Sequence, residues 1–134
     1  MYLESSALLA GLLEDDLEVI RAVDPARTVL SGLTLAEARR ALQRALHAGR
    51  IDDTGRGQAE ATIAQLERDC TVLAIDDLIL ARAGRRFPAE PIRTLGAIHL
   101  ASAELIDEPQ APITLLTRDA RIRENAILLG LQVA

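Results

Sequence analysis

The chain has no tryptophan, no lysine, one cysteine, one tyrosine and one phenylalanine in 134 residues. The lone cysteine, Cys70, cannot close an intrachain disulfide. A disulfide scaffold is therefore excluded, and a reducing, cytoplasmic setting is expected, with the thiol read as a packing residue. Tyr2 and Phe87 are too few aromatics for the stacking platforms on which single-strand binders lay out bases. No uncharged apolar run approaches the ~18 residues of a membrane span; Ser5–Leu13 and Asn125–Ala134 reach only nine and ten. The first residues carry an early acid and no basic stretch, which is not the pattern of a secretory signal. With 20 acids against 15 bases, the net charge is −5, so bulk attraction to nucleic acid is not expected. Every base is arginine. GC-rich codon usage accounts for that, although arginine is also the side chain that grips phosphate bidentately.

What remains is a chain that is 49% hydrophobic and 26% charged, as a soluble globule is. Its length suits one domain, residues 1–134, with no repeat and no linker. Short apolar strands alternate with helical periods. Strands are expected at Tyr2–Glu4, Thr28–Leu30, Thr71–Ile75, Ile113–Leu116 and Gln132–Val133. Helices are expected at Ser5–Leu13, onward to Val23, at Leu35–Ala48, Gln58–Arg68, Asp77–Arg86, Leu95–Ile106 and Ala120–Leu129. Gly49 fits a helix C-terminus. Asp52–Gly57 and Asp107–Pro112 read as turns. This alternation predicts an α/β fold: a three-layer α/β/α sandwich on a mostly parallel sheet of four to five short strands.

Ligands in such folds sit beyond the carboxyl ends of the strands. Glu4 stands at the end of the first strand, Glu37 lies early in the helix after the second, and Asp119 follows the fourth. Ser6 and Thr117 lie two positions from two of these acids. Carboxylates with hydroxyls, and no histidine or cysteine cluster, suit Mg²⁺ or Mn²⁺. Each acid also has a purely local reading. Glu37 can close a capping box on Thr34, and Glu4 and Asp119 can answer helix dipoles. His99 reads as a packed helix histidine, and His47 has no partner at ligand spacing. Gly55–Gly57 reads as a turn, since it lacks the strand and the lysine of a phosphate loop. Arg82, Arg85 and Arg86, and separately Arg118, Arg121 and Arg123, read as solvated faces. A nucleotide-binding Rossmann-like protein is disfavoured because no glycine-rich phosphate loop is present.

Four segments, in order, carry a family resemblance. Residues 2–8 (YLESSAL) resemble the hydrophobic–Asp–x–Ser–Ala opening of PIN domains. Residues 33–40 (LTLAEARR) look like the PIN helix that bears the second acid. Residues 93–103 (RTLGAIHLASA) are similar to the RTLDAIHLA segment of VapC-type toxins. Residues 116–122 (LTRDARI), with Ala126 and Leu129–Leu131, look like the closing T-x-D…A…LG block. The resemblance implies a Mg²⁺- or Mn²⁺-dependent endoribonuclease, the toxin of a type II VapBC-like pair. Such a protein acts on RNA, is neutralised by a cognate antitoxin and forms a homodimer. Carried over by position, Glu4, Glu37 and Asp119 are the metal-binding, catalytic acids. Ser6 and Thr117 support them, and Arg93 and Arg118 contact phosphates.

Two positions depart from that pattern. Glu4 stands where aspartate is usual, which moves its carboxylate outward by one C–C bond, about 1.5 Å. Gly96 stands where the family has its third aspartate. This loss implies weaker metal binding and impaired cleavage, through natural decay or an inactivating change. The alternative is a catalytically degenerate PIN module that binds RNA or an antitoxin without cutting. No packing reason for Gly96 is expected, because glycine inside a helix costs about 0.8–1.0 kcal/mol relative to alanine.

Overall fold

The computed structural model describes residues 1–134. Five short strands form one sheet: β1 Tyr2–Leu3, β2 Val29–Ser31, β3 Thr71–Leu73, β4 Thr114–Leu116 and β5 Gln132–Val133. The order is β3-β2-β1-β4-β5, and every pairing is parallel. Seven helices surround it: α1 Ser5–Leu13, α2 Leu17–Ala22, α3 Gly32–His47, α4 Asp53–Asp69, α5 Asp77–Ala83, α6 Thr94–Ile106 and α7 Ala120–Leu128. A 3-10 turn at Pro25–Arg27, held by the Asp24 side chain, joins α2 to β2.

The three layers follow from side-chain alternation along the strands. Leu3 and Leu116 point into one core with Leu8, Leu35, Leu42 and Ile63 from α1, α3 and α4. Their neighbours Tyr2 and Leu115 point the opposite way, onto Leu100, Ile122 and Ala126 from α6 and α7. A period of two places successive residues on opposite faces, so each central strand feeds both cores. The edge strands β3 and β5 are the exceptions; Gln132 of β5 is exposed. Thr71 and Val72 are exposed, as an edge strand permits, so the expectation of strands covered on both faces holds only for the interior of the sheet.

Several boundaries differ from the sequence reading, for local reasons. Glu4 is not in β1; its side chain accepts the Ser6 N–H and caps α1. α3 begins at Gly32, three residues earlier than expected, because Ser31 and Thr34 form the capping box themselves. The Asp52–Gly57 segment is not a turn. Asp52 accepts the Gly55 N–H at 2.7 Å, and α4 runs straight through both glycines. β3 stops at Leu73, and α5 ends at Ala83, short of Arg86. Gly49 does close α3, at φ +67°. In that left-handed region glycine meets no Cβ penalty.

Reversal of strand order about β1 and β4 opens a crevice at their carboxyl ends. Residues 4–6 and 117–119 lie there.

Candidate active site

A cleft of about 730 Å³ opens at this point, lined among others by Glu4, Glu37, His99, Asp119, Arg44 and Arg93. Its floor is polar and buried. Glu4 is only 3% exposed. Ser5 Oγ donates to its Oε1 at 2.7 Å. Its Oε2 accepts the Ser6 N–H at 3.0 Å, the Thr117 hydroxyl at 2.9 Å and the Ser6 hydroxyl. A buried carboxylate without such partners would be strongly destabilising. Ser6 and Thr117 thus fix one carboxylate, and they join the two strand ends, since Ser6 Oγ also accepts the Arg118 N–H at 2.9 Å.

Glu37 enters from the second turn of α3. Its carboxylate does not close a capping box on Thr34, because Ser31 already accepts the Thr34 N–H at 3.1 Å. Released from that duty, Glu37 Oε2 takes His99 Nε2 at 2.7 Å and Ser5 Oγ at 2.8 Å. Burial pushes its carboxyl upward, but the hydrogen bonds from His99 and Ser5 outweigh burial and hold it below the usual carboxylate range.

His99 comes from α6 and is buried to 1% exposure. Its Nδ1 lies 2.9 Å from the Tyr2 hydroxyl, which also reaches Ser31 Oγ at 3.0 Å. Burial pushes the Tyr2 phenol up, so it remains a hydroxyl at neutral pH. The expectation that His99 only packs is therefore incomplete: the ring is packed, but its other nitrogen faces two carboxylates. Tyr2, Ser5, His99 and Arg44 were missed as site residues. Two signals in the sequence bore on them. Ser5 directly follows Glu4, and His99 lies one helical turn beyond Gly96, on the same face.

The donor atoms of Glu4, Glu37 and His99 all lie within 4.8 Å of one another. Asp119 lines the same cleft but stands outside that group. Its Oδ1 accepts the Arg121 and Ile122 N–H groups at 2.8 and 2.9 Å, which caps α7. Thr117 Oγ1, which donates to Glu4, also accepts the Asp119 N–H at 3.1 Å.

The floor is suited to a cation. Ser5 Oγ lies within 2.8 Å of both carboxylates, yet a hydroxyl has one hydrogen. With the hydrogen on His99 Nε2, that leaves two protons for three short contacts. A positive charge is what such a donor set lacks, and two carboxylates with an imidazole are ligands for a divalent ion.

The arginines sort by geometry. Arg93 and Arg44 line the cleft and form no ion pair. Arg118 is not on the cleft. Its guanidinium binds Asp16 at 2.8 Å and Glu18 at 3.5 Å.

Gly96 lines the cleft in the first turn of α6. An added Cβ would stand 3.3 Å from Ile122 Cγ1 and 3.3 Å from Ile92 Cγ1. A packing reason for glycine therefore exists, contrary to expectation, because two isoleucines close over the position.

The PIN domain profile matches residues 1–128. The chain belongs to the PIN domain family. Within that family it is of VapC type: it is 35% identical to Ribonuclease VapC35 of Mycobacterium tuberculosis, over 99% of this chain and 94% of that protein. Solved structures share the fold. FitAB bound to an IR36 DNA fragment superposes with a TM-score of 0.69 at 18% identity, covering 99% of this chain and 92% of that one. VapC20 of M. tuberculosis, a toxin that cleaves the sarcin–ricin loop, gives 0.66 at 14% identity, covering 92% of each chain. FitAcB from Neisseria gonorrhoeae gives 0.67 at 18% identity, covering 99% of this chain and 96% of that one. The PIN sheet with its helical layers is thus the architecture that brings residues 4, 37 and 99 together. No helix of this PIN domain is long and apolar enough to cross a membrane.

Proposed function

We propose that this PIN domain is a metal-dependent endoribonuclease, the toxin of a type II toxin–antitoxin pair. It would act in the cytoplasm as a homodimer, and a cognate antitoxin would restrain it. The observation that carries the reading is the meeting of Glu4 and Glu37, remote in sequence, on the floor of one cleft at the sheet's switch point. VapC35, 35% identical over nearly the whole chain, is named a ribonuclease, and FitAB was solved on DNA, which supports a nucleic-acid context and a partner protein.

In this reading Glu4, Glu37 and Asp119 would hold Mg²⁺ or Mn²⁺. A bound ion supplies Lewis acidity toward the phosphate and toward water. The protein's own side chains divide the remaining work. Ser6 and Thr117 immobilise Glu4, and His99 and Ser5 orient Glu37. Glu37 is the more open of the two floor carboxylates, 24% exposed at the side chain, and is placed to take a proton from an attacking water. Water adds to phosphorus as the P–O bond to the leaving ribose oxygen breaks, and that oxygen takes up a proton from solvent. Arg93 and Arg44, unpaired at the rim, orient the phosphates. The absence of a carboxylate at position 96 weakens ion binding and slows cleavage.

Incubation with an RNA panel and Mn²⁺ tests the reading. Cleavage that EDTA stops and that Glu37→Gln abolishes supports it. RNA binding without cleavage at saturating Mn²⁺ returns the non-cutting module, and calorimetry that finds no Mn²⁺ binding removes the metal assignment.

A further inference from the structure

Gly96 deprives α6 of a carboxylate at the cleft, yet α6 still sends one donor into it. We propose that His99 is the ligand α6 contributes, adding one imidazole to the carboxylates that hold the ion and making the site selective for a first-row transition ion over Mg²⁺. The inference rests on the metal-dependent reading above and concerns which atom completes it.

Position comes first. His99 Nε2 is 2.7 Å from Glu37 Oε2 and 3.6 Å from Glu4 Oε1. The ring is buried and cannot swing to solvent. Its far side is arranged as a ligating imidazole requires. When one ring nitrogen binds a metal, the other carries the hydrogen and donates it to an acceptor, which fixes tautomer and orientation. Tyr2 is that acceptor: its oxygen lies 2.9 Å from Nδ1, and its own hydrogen can point to Ser31 Oγ at 3.0 Å. Nε2 is freed by a tautomer change alone. The neutral ring keeps one hydrogen, which leaves Nε2 and resides on Nδ1, and the phenol keeps its own. The one Ser5 Oγ hydrogen, 2.7 Å from Glu4 Oε1 and 2.8 Å from Glu37 Oε2 by its oxygen, serves one carboxylate at a time and leaves the other open to the ion.

Ligand chemistry sets the selectivity. Mg²⁺ prefers oxygen donors and keeps its waters. A nitrogen donor moves preference toward transition ions, with affinity rising from Mn²⁺ to Co²⁺. An imidazole in place of the lost aspartate also removes one negative charge from the site, which penalises Mg²⁺ most.

Pulsed electron paramagnetic resonance on the natural chain loaded with Mn²⁺ reads the bond directly. Coupling from a coordinated ¹⁴N is expected. Calorimetry with Mg²⁺, Mn²⁺ and Co²⁺ is expected to give affinities rising in that order. Tyr2→Phe removes the acceptor for Nδ1–H and is expected to weaken Mn²⁺ binding about tenfold, with Mg²⁺ binding changed less than about threefold. His99→Gln is expected to equalise Mn²⁺ and Mg²⁺; thermal melts establish that each variant is folded, and the natural-chain spectrum does not depend on either. Bound Mn²⁺ without ¹⁴N coupling overturns the role of His99 and leaves the carboxylate-based nuclease standing. No binding of any of the three ions overturns both.

Discussion

Restoring an acid at position 96 separates packing from chemistry. In Gly96→Asp the new Cβ meets Ile122 and Ile92 at 3.3 Å. Those contacts require the isoleucines to yield by a few tenths of an ångström, and overpacking of this kind costs about 1–3 kcal/mol. Two effects oppose it. Aspartate is a better helix former than glycine by about 0.3 kcal/mol. An acid in the first turn of a helix gains about 0.3–1 kcal/mol from the dipole. Without metal the balance is a loss of about 1 kcal/mol, or about 4 °C in melting temperature for a domain of this size. With Mn²⁺ the sign reverses if the added carboxylate reaches the ion, since tenfold tighter binding stabilises by about 1.4 kcal/mol at saturation. The assay is a thermal melt of both proteins in EDTA and at matched Mn²⁺. Adding Ile92→Val should recover part of the metal-free loss. The reasoning fails if Gly96→Asp is at least as stable as the natural chain in EDTA and gains no more than it does from Mn²⁺.

Other consequences follow from the same contacts. Thr117→Val keeps the shape but deletes the hydroxyl shared by Glu4 and the Asp119 N–H; a loss of about 1–3 kcal/mol is expected in denaturant melts, together with weaker Mn²⁺ binding by calorimetry. Glu37 has a depressed carboxyl pKa in the folded state, so its contribution is present above the unfolded value and is lost as pH falls through the lower folded one. The stability difference between the natural chain and Glu37→Gln should accordingly shrink on acidification from about pH 5 downward, read by melts across pH. Arg93→Ala should raise KM for RNA with little change in melting temperature. Arg118→Ala should leave KM unchanged, because its guanidinium is committed to Asp16 and Glu18. Asn125 is fully buried and ties Ala89, in the loop before α6, to α7 through both amide atoms; Asn125→Ala should cost about 2–4 kcal/mol and speed proteolysis between residues 87 and 92.

Element type was legible in the sequence because apolar periodicity is a local property: strands at Thr114–Leu116 and Gln132–Val133 and the helix at Ala120 stand nearly where the pattern placed them. Element ends were less so. Where α3 begins depends on whether the Ser31 hydroxyl or the Glu37 carboxylate takes the Thr34 N–H; Ser31 takes it, which released Glu37 for the cleft. Asp52 turned an apparent glycine turn into the start of a helix by a single side-chain bond.

By itself the sequence determined the layer architecture and the candidate acids, since hydrophobic period and residue order along parallel strands leave little freedom in where each strand end falls. Only the tertiary structure decided which groups share the floor. Tyr2 carries no signal of its own, and Ser5 and His99 carry only their nearness to Glu4 and Gly96, because a hydroxyl or imidazole acquires its role from the charge placed beside it. That charge arrives from a helix 32 residues away for Ser5 and 62 for His99. The same packing set Arg118 aside and closed two isoleucines over Gly96, neither of which any spacing along the chain could express.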